Sequence, residues 1–209
     1  MITCPLCQEL TSQQLEFSPQ FYSCNNCGSV FRDATFFLSS TLEKERYLLH
    51  QNSVEDKGYQ AFVLPIVEAV CLSFNPRTKG LDFGAGTAPV AAKLLRDRNY
   101  TIKLWDPFFH PDTSVLNSTY DFVICCEVME HFYEPLKEFR LMKRMLGEGG
   151  KIFCMTNLLP KKASFFKDWY YKNDKTHVIF YSEKNLKWIQ ETVGFSEMII
   201  EDRVITFSL

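Results

Sequence analysis

Short apolar runs alternate with amphipathic stretches over the last two thirds of the chain. They predict strand 79 to 84, helix 88 to 97, strand 101 to 106, strand 120 to 126, helix 134 to 146 and strand 150 to 156. A helix at about 183 to 193 and a terminal strand pair follow, with Gly194 as the helix stop. Upstream, Ser40 opens a helical stretch in which Glu43 is placed to complete a capping box, and Leu42, Tyr47 and Leu49 supply apolar surface at near-helical spacing. After the polar break Gln51-Asn52-Ser53, a second helix is predicted from Asp56 to Phe74, with Pro65 marking a kink or a restart. Such alternation predicts an α/β fold: a largely parallel sheet with helices on both faces.

In that frame the stretch Gly80-Leu81-Asp82-Phe83-Gly84-Ala85-Gly86-Thr87-Ala88 is an apolar strand running into a Gly-rich turn, and Trp105-Asp106-Pro107 closes the next strand with an acid. Glycines allow close backbone approach to a ligand, and Asp106 is placed to accept hydrogen bonds from ribose hydroxyls, as in adenosine-containing cofactor sites. A carboxylate at Asp82 would repel a pyrophosphate but suits the cationic amino group of a methionyl moiety. The segment therefore resembles the first motif of class I S-adenosylmethionine-dependent methyltransferases, with Ala88 in place of the last glycine.

The resemblance continues downstream. Tyr120-Asp121-Phe122-Val123-Ile124-Cys125-Cys126-Glu127-Val128-Met129-Glu130-His131-Phe132 is similar to that family's fourth strand and following helix, and Leu146-Gly147-Glu148-Gly149-Gly150-Lys151-Ile152-Phe153 to its turn into strand five. It implies a Rossmann-like domain over 79–209, cofactor contacts from Asp82, Gly84, Ala85, Gly86, Asp106, Pro107 and Glu127, and a helical lid over 37–78 in which Tyr47, His50 and Tyr59 are candidate substrate-pocket residues. Plain helix packing is the competing role for those three. One departure is visible: thirteen residues, Pro107 to Thr119, stand where the family places a helix and another strand. A shortened edge is expected there, with Phe108 and Phe109 placed to cover the adenine face.

Glu127, Glu130 and His131 fall at i, i+3 and i+4, one face if the segment is helical. Two carboxylates and an imidazole suit a hard divalent ion such as Mg2+, able to lower the pKa of an acceptor hydroxyl. Similar segments with a later histidine occur in ubiquinone-pathway O-methyltransferases and in small-RNA 2′-O-methyltransferases that bind a divalent metal, and His177 is the matching later histidine. Without metal, His131 or His177 would act as acid/base or substrate ligand.

Eight cysteines are present, four of them as Cys4-Pro5-Leu6-Cys7 and Cys24-Asn25-Asn26-Cys27. The paired spacing predicts a zinc ribbon over 1–36 whose closed four-thiolate site has a structural role. Cys71, Cys125, Cys126 and Cys154 lie in apolar runs and read as small buried hydrophobes.

The net charge is -2, so no global basic field recruits nucleic acid, and no apolar run spans a membrane, which sets a cytoplasmic expectation. Between 161 and 175 five lysines and two aspartates interleave with five aromatics, including Trp169 and Tyr170. That stretch suits a wall of the substrate pocket, a base-stacking platform, or a half-buried helix. The reading is methyl transfer to a small-molecule acceptor, through oxygen. An RNA methyltransferase using the ribbon is one alternative; a non-catalytic cofactor-binding scaffold with the ribbon as protein-interaction module is another. Residues 1–36 carry only Glu9, Glu16, Arg32 and Asp33 as charged groups, a poor phosphate-binding surface.

Overall fold

The structure is a computed structural model that describes residues 1–16, 18–49 and 53–209; the candidate pocket residue His50 lies outside them. The chain opens with five short strands, β1 (Ile2–Thr3), β2 (Leu10–Thr11), β3 (Gln14–Leu15), β4 (Ser18–Ser23) and β5 (Val30–Arg32). Two helices follow, α1 (Ser40–Leu48) and α2 (Lys57–Ser73), and then the alternating part: β6 (Lys79–Phe83), α3 (Val90–Arg96), β7 (Thr101–Trp105), β8 (Tyr120–Cys126), α4 (Pro135–Arg144) and β9 (Leu146–Met155). A short helix α5 (Ala163–Phe166), strand β10 (Ile179–Phe180), helix α6 (Glu183–Val193) and the hairpin β11 (Glu197–Glu201) and β12 (Val204–Ser208) complete it.

The main sheet has the order β11-β12-β9-β8-β6-β7, parallel from β9 to β7 and antiparallel at the β12 and β11 edge. Alternation along β8 explains the two-faced core. Phe122 and Ile124 pack with Val63, Ile66 and Val67 of α2 and Leu95 of α3, while Val123 and Cys125 pack with Phe139 and Met142 of α4 and Leu186 and Ile189 of α6. Cys125 and Cys154 face one another across the β8 and β9 register and are fully buried, as small apolar side chains. Between β7 and β8 there is only a 3-10 turn, Thr113–Asn117, so β7 is the sheet edge. Strand order reverses at β6, whose chain neighbour β7 lies on one side and β8 on the other; this opens a crevice at the carboxyl ends of the strands.

Three local expectations are corrected. The cap of α1 is Ser39, whose side chain accepts from Leu42 N, and Glu43 is buried with its carboxylate on two tyrosines instead of on the helix end. Helix α2 runs through Pro65 without restarting; Arg203 Nη2 donates to the Phe62 carbonyl (3.2 Å) in the turn before the proline. The aromatic stretch is no continuous helix: α5 is four residues long, and a 3-10 turn, Tyr170–Asn173, follows.

The ribbon is welded to the rest. β10 joins β5, β4 and β3 in one antiparallel sheet, with Ile179 opposite Phe31 and Phe180 opposite Val30. Phe21 of β4 packs edge-on against Phe166 and Phe180, in a cluster that includes Tyr171.

Candidate active site

The crevice is a cavity of about 1050 Å3 lined by Asp82, the Gly84 to Ala88 turn, Asp106, Pro107, Glu127, Glu130, His131 and His177, with Tyr47, Tyr59 and Tyr170. The glycine turn is held by its neighbour strand: Gly84 N and Ala85 N donate to Trp105 O at 2.8 and 3.0 Å. Gly84 has φ +89, and a Cβ there would lie 2.5 Å from Val128 Cγ1; at Gly86, φ +60, a Cβ would meet nothing within 4 Å and would project into open space. Glycine at 84 answers strain and crowding; at 86 it leaves a cradle for a ligand. Gly84→Ala is expected to lower Tm by about 5–10 °C, read by thermal melting, because a left-handed backbone and a clash are imposed together.

Asp106 is more engaged than a free ribose acceptor would be. Its Oδ2 accepts from Gly86 N (3.0 Å) and its Oδ1 from Phe108 N (2.8 Å) and Phe109 N (3.0 Å). Phe108 and Phe109 line the cavity, and Trp105 Nε1 is a buried donor with no hydrogen-bond partner among the described residues. A glycine cradle, an organised acid and a spare donor fit an adenosine-type cofactor. Burial, with the charge of Asp106 adding to it, pushes the Asp82 carboxyl up to about 7.

At the other end, the segment after β8 leaves the strand through Glu127 at φ +53 and makes one 3-10 turn, Met129–His131, not the expected α-helix. This turn places Glu130 and His131 beside His177: one ligand atom from each lies within 4.8 Å of the others. Glu127 stands outside that group, with Arg203 Nη1 at 3.6 Å. His131 Nδ1 meets Thr176 O (3.1 Å) and His177 Nδ1 meets Tyr171 O (2.7 Å). A carbonyl only accepts, so both rings carry their proton on Nδ1 and present a bare Nε2. Burial keeps them neutral: it lowers the His131 pKa and takes His177 down to about 3, where a proton on both neighbouring rings at once would also be penalised. Glu130 Oε2 is buried without a hydrogen-bond partner among the described residues.

Tyr171 joins the two carboxyls. Its hydroxyl lies against Glu130 Oε1, 3.1 Å from Glu127 Oε2 and 3.1 Å from Thr156 Oγ1. One phenolic hydrogen faces both carboxyls, an arrangement that favours a proton held on one of them. Burial, above all, raises Glu127 to about 8 and Glu130 to about 7, and the charge of Glu130 adds to the shift of Glu127.

Tyr47 and Tyr59 stand in the cavity wall as candidate pocket residues, Tyr47 edge-on to His131 with ring centroids 5.5 Å apart. Tyr170 lines the rim, whereas Trp169 does not line the cavity; its ring packs behind the wall against Phe166, Tyr171 and Phe180. Glu43 and Tyr133 reach the cavity without a sequence signal for it, whereas Tyr171 and Asp174 come from the 161–175 stretch read as a pocket wall; Glu43 Oε1 accepts from Tyr47 (2.8 Å) and Oε2 from Tyr133 (3.1 Å).

At the amino end, the Cys4 and Cys27 sulfurs are 3.6 Å apart and those of Cys7 and Cys24 3.5 Å, and all four lie within 4.8 Å of one another. A tetrahedral zinc–thiolate site has edges of about 3.8 Å, whereas a disulfide would need about 2 Å.

A family model described as a methyltransferase domain matches residues 55–198, more than half of the chain. The chain belongs to the S-adenosylmethionine-dependent methyltransferases. No curated protein matches it in sequence. Among solved structures, this methyltransferase is similar to a SAM-dependent methyltransferase of Archaeoglobus fulgidus, at 18% identity and TM-score 0.56 over 81% of this chain and 77% of that one. It is also similar to the 1,6-didemethyltoxoflavin-N1-methyltransferase of Burkholderia thailandensis, solved with 1,6-didemethyltoxoflavin and S-adenosylhomocysteine, at 11% identity and TM-score 0.56 over 88% and 97%. An O-methyltransferase family protein of the same organism matches at 10% identity and TM-score 0.56 over 79% and 61%. At these identities the structural matches show the fold alone. No helix among the described residues is long and apolar enough to cross a membrane.

Proposed function

We propose that this methyltransferase acts on a hydroxyl of a small-molecule acceptor, with a divalent cation held by Glu130, His131 and His177. The observation that carries the reading is the pair of neutral imidazoles whose Nδ1 atoms are tied to carbonyls, beside an unpartnered Glu130 oxygen, all in one cavity. A neutral, tautomer-fixed ring is the form that ligates a metal. S-adenosylmethionine supplies an electrophilic methyl on its sulfonium, and a divalent ion would supply the Lewis acidity that lowers the acceptor pKa. The remaining work falls to the chain. The glycine turn and Asp106 fix the cofactor end, the tyrosine-rich wall around Tyr47 and Tyr59 excludes water, and Tyr171 sets the two carboxyls. Glu127, outside the triad, can take up the acceptor proton in its ionised form, which a cation on Glu130 would favour by offsetting the charge that helps to raise it.

The relatives support a small-molecule acceptor only as an analogy: the Burkholderia thailandensis enzyme was solved with such an acceptor bound. The test supplies methyl-labelled S-adenosylmethionine with three pools, hydroxyl-bearing small molecules, amines and total RNA, with and without Mg2+ or Mn2+. Label in the hydroxyl pool that rises with the cation is the expected result; label in RNA would overturn the acceptor class, and turnover indifferent to the cation would remove the metal.

The four-cysteine cluster is proposed as a structural zinc site. Its thiols crowd one another: the bond to Cys4, then burial, raises the Cys27 thiol, a state relieved when a cation takes the thiolates. Stripping the metal with a strong chelator is expected to release about one zinc per chain and to melt the ribbon, since so small a segment has little core of its own. Unchanged circular dichroism and Tm after chelation would refute this role.

A further inference from the structure

The stretch that runs from the 3-10 turn Tyr170–Asn173 through the irregular loop 174–178 into β10 carries the carbonyls that orient both histidines. Tyr171 O accepts from His177 Nδ1 at 2.7 Å and Thr176 O from His131 Nδ1 at 3.1 Å. What holds the loop comes largely from the ribbon. Arg32, at the end of β5 and only 5% exposed, donates from Nε to His177 O (3.0 Å) and from Nη2 to Lys172 O (3.0 Å) and Asp174 O (2.8 Å). Its backbone N adds a bond to Val178 O (2.8 Å), and its guanidinium lies 4.7 Å over the Phe21 ring. A guanidinium is suited to this: it is planar, and its donors splay at fixed angles to reach several carbonyls at once. The Asp174 carboxylate closes the loop from inside, accepting from Thr176 N (3.0 Å), Thr176 Oγ1 (2.7 Å) and Arg46 Nη2 of α1 (3.0 Å).

We propose that Arg32 is a positioning residue through which the four-cysteine ribbon sets His131 and His177, so that the ribbon governs the acceptor end of the site and leaves the cofactor end alone. The route is continuous. The Cys24 to Cys27 knuckle joins β4 to β5, β5 carries Arg32, and Arg32 fixes the carbonyls of Lys172, Asp174 and His177, the chain neighbours of Tyr171 and Thr176, whose own carbonyls hold the two imidazoles. None of these contacts touches the Gly84 to Gly86 turn or Asp106, which are held from β7. The proposal rests on the reading of Glu130, His131 and His177 as the acceptor end.

The test uses the whole zinc-loaded chain as wild type, Arg32→Met and Arg32→Lys, with three readouts. Imidazole nitrogen NMR reports the tautomers of His131 and His177, with His177→Gln for assignment; water-proton relaxation reports Mn2+ binding; calorimetry reports S-adenosylhomocysteine. Wild type should show both rings as the Nδ1–H form. Arg32→Met should lose that single form and bind Mn2+ about tenfold or more weakly, while S-adenosylhomocysteine affinity stays within about twofold. Arg32→Lys keeps the charge but not the splayed donors, and is expected to follow Arg32→Met. Unchanged tautomers in Arg32→Met overturn the proposal, as does wild-type behaviour of Arg32→Lys. Loss of S-adenosylhomocysteine binding by both variants would make Arg32 a general anchor of the fold and also overturn it. Failure of the functional reading looks different: wild type itself would then bind no Mn2+, while the tautomer readout would still decide the role of Arg32.

Discussion

Replacing Asp106 with alanine is expected to weaken S-adenosylhomocysteine binding by about a hundredfold or more, measured by titration calorimetry against the wild-type chain. The expectation rests on two jobs that one carboxylate performs. A carboxylate has about four acceptor sites, and three of them are filled by Gly86 N, Phe108 N and Phe109 N. The remaining one is free for a ribose hydroxyl, a charge-assisted bond worth roughly 1.5–3 kcal/mol, or about tenfold to hundredfold in affinity. Alanine also frees the glycine cradle from the aromatic wall, so the site must be reassembled on binding. Asp106→Asn retains a single acceptor oxygen and should fall between the two. Undiminished binding by the alanine variant would show that the ribose is held elsewhere and would sink the assignment of this end of the cavity.

The sheet and the glycine turn were legible because their signals are local. A strand of five to seven residues, a glycine turn and an acid at the next strand end all lie within about thirty residues, and the residues from Gly80 to Asp106 carry them in order. The shortened edge was legible for the same reason, since 107–119 is too short for a helix and a strand. The cluster at the other end of the cavity was legible only in part. Glu130, His131 and His177 are brought together, but through a left-handed residue and a single 3-10 turn that helical spacing would not suggest.

What stayed hidden depends on contacts distant in sequence. Glu43 sits in a pattern that reads as a capping box, and only the approach of Tyr133 shows that its carboxylate is wanted elsewhere. Tyr171 is one aromatic among several, and its neighbour Trp169 carries the same sequence signal yet faces the ribbon cluster. The two-residue strand β10 is too short to show any period, so its pairing with β5, and with it the attachment of the ribbon, cannot be read from the sequence.

Between about pH 6.5 and 8.5 the chain free of cofactor and divalent cation should lose stability, with Tm falling by about 5–10 °C. Three carboxyls are raised by burial, Asp82 to about 7, Glu130 to about 7 and Glu127 to about 8, whereas in the unfolded chain such groups titrate near 4. A folded state that holds protons the unfolded state has already lost gains stability below the unfolded pKa and surrenders it as pH rises through the folded one. The buried histidines act in the opposite sense, since their lowered pKa values make the unfolded state the proton binder, but only below the ordinary histidine pKa of about 6.5. Above that pH their contribution fades within about one unit, and the carboxyls dominate the slope. Summed over the window, the carboxyls account for about 2–4 kcal/mol. Glu130→Gln and Asp82→Asn should each flatten the decline. A cationic ligand should reverse it, because S-adenosylmethionine or Mn2+ favours the ionised carboxyls and therefore stabilises the chain more at pH 8.5 than at 6.5. A Tm that rises across this window in the free chain would mean that these carboxyls are ionised in the folded state, and the proton-sharing arrangement around Tyr171 would have to be abandoned.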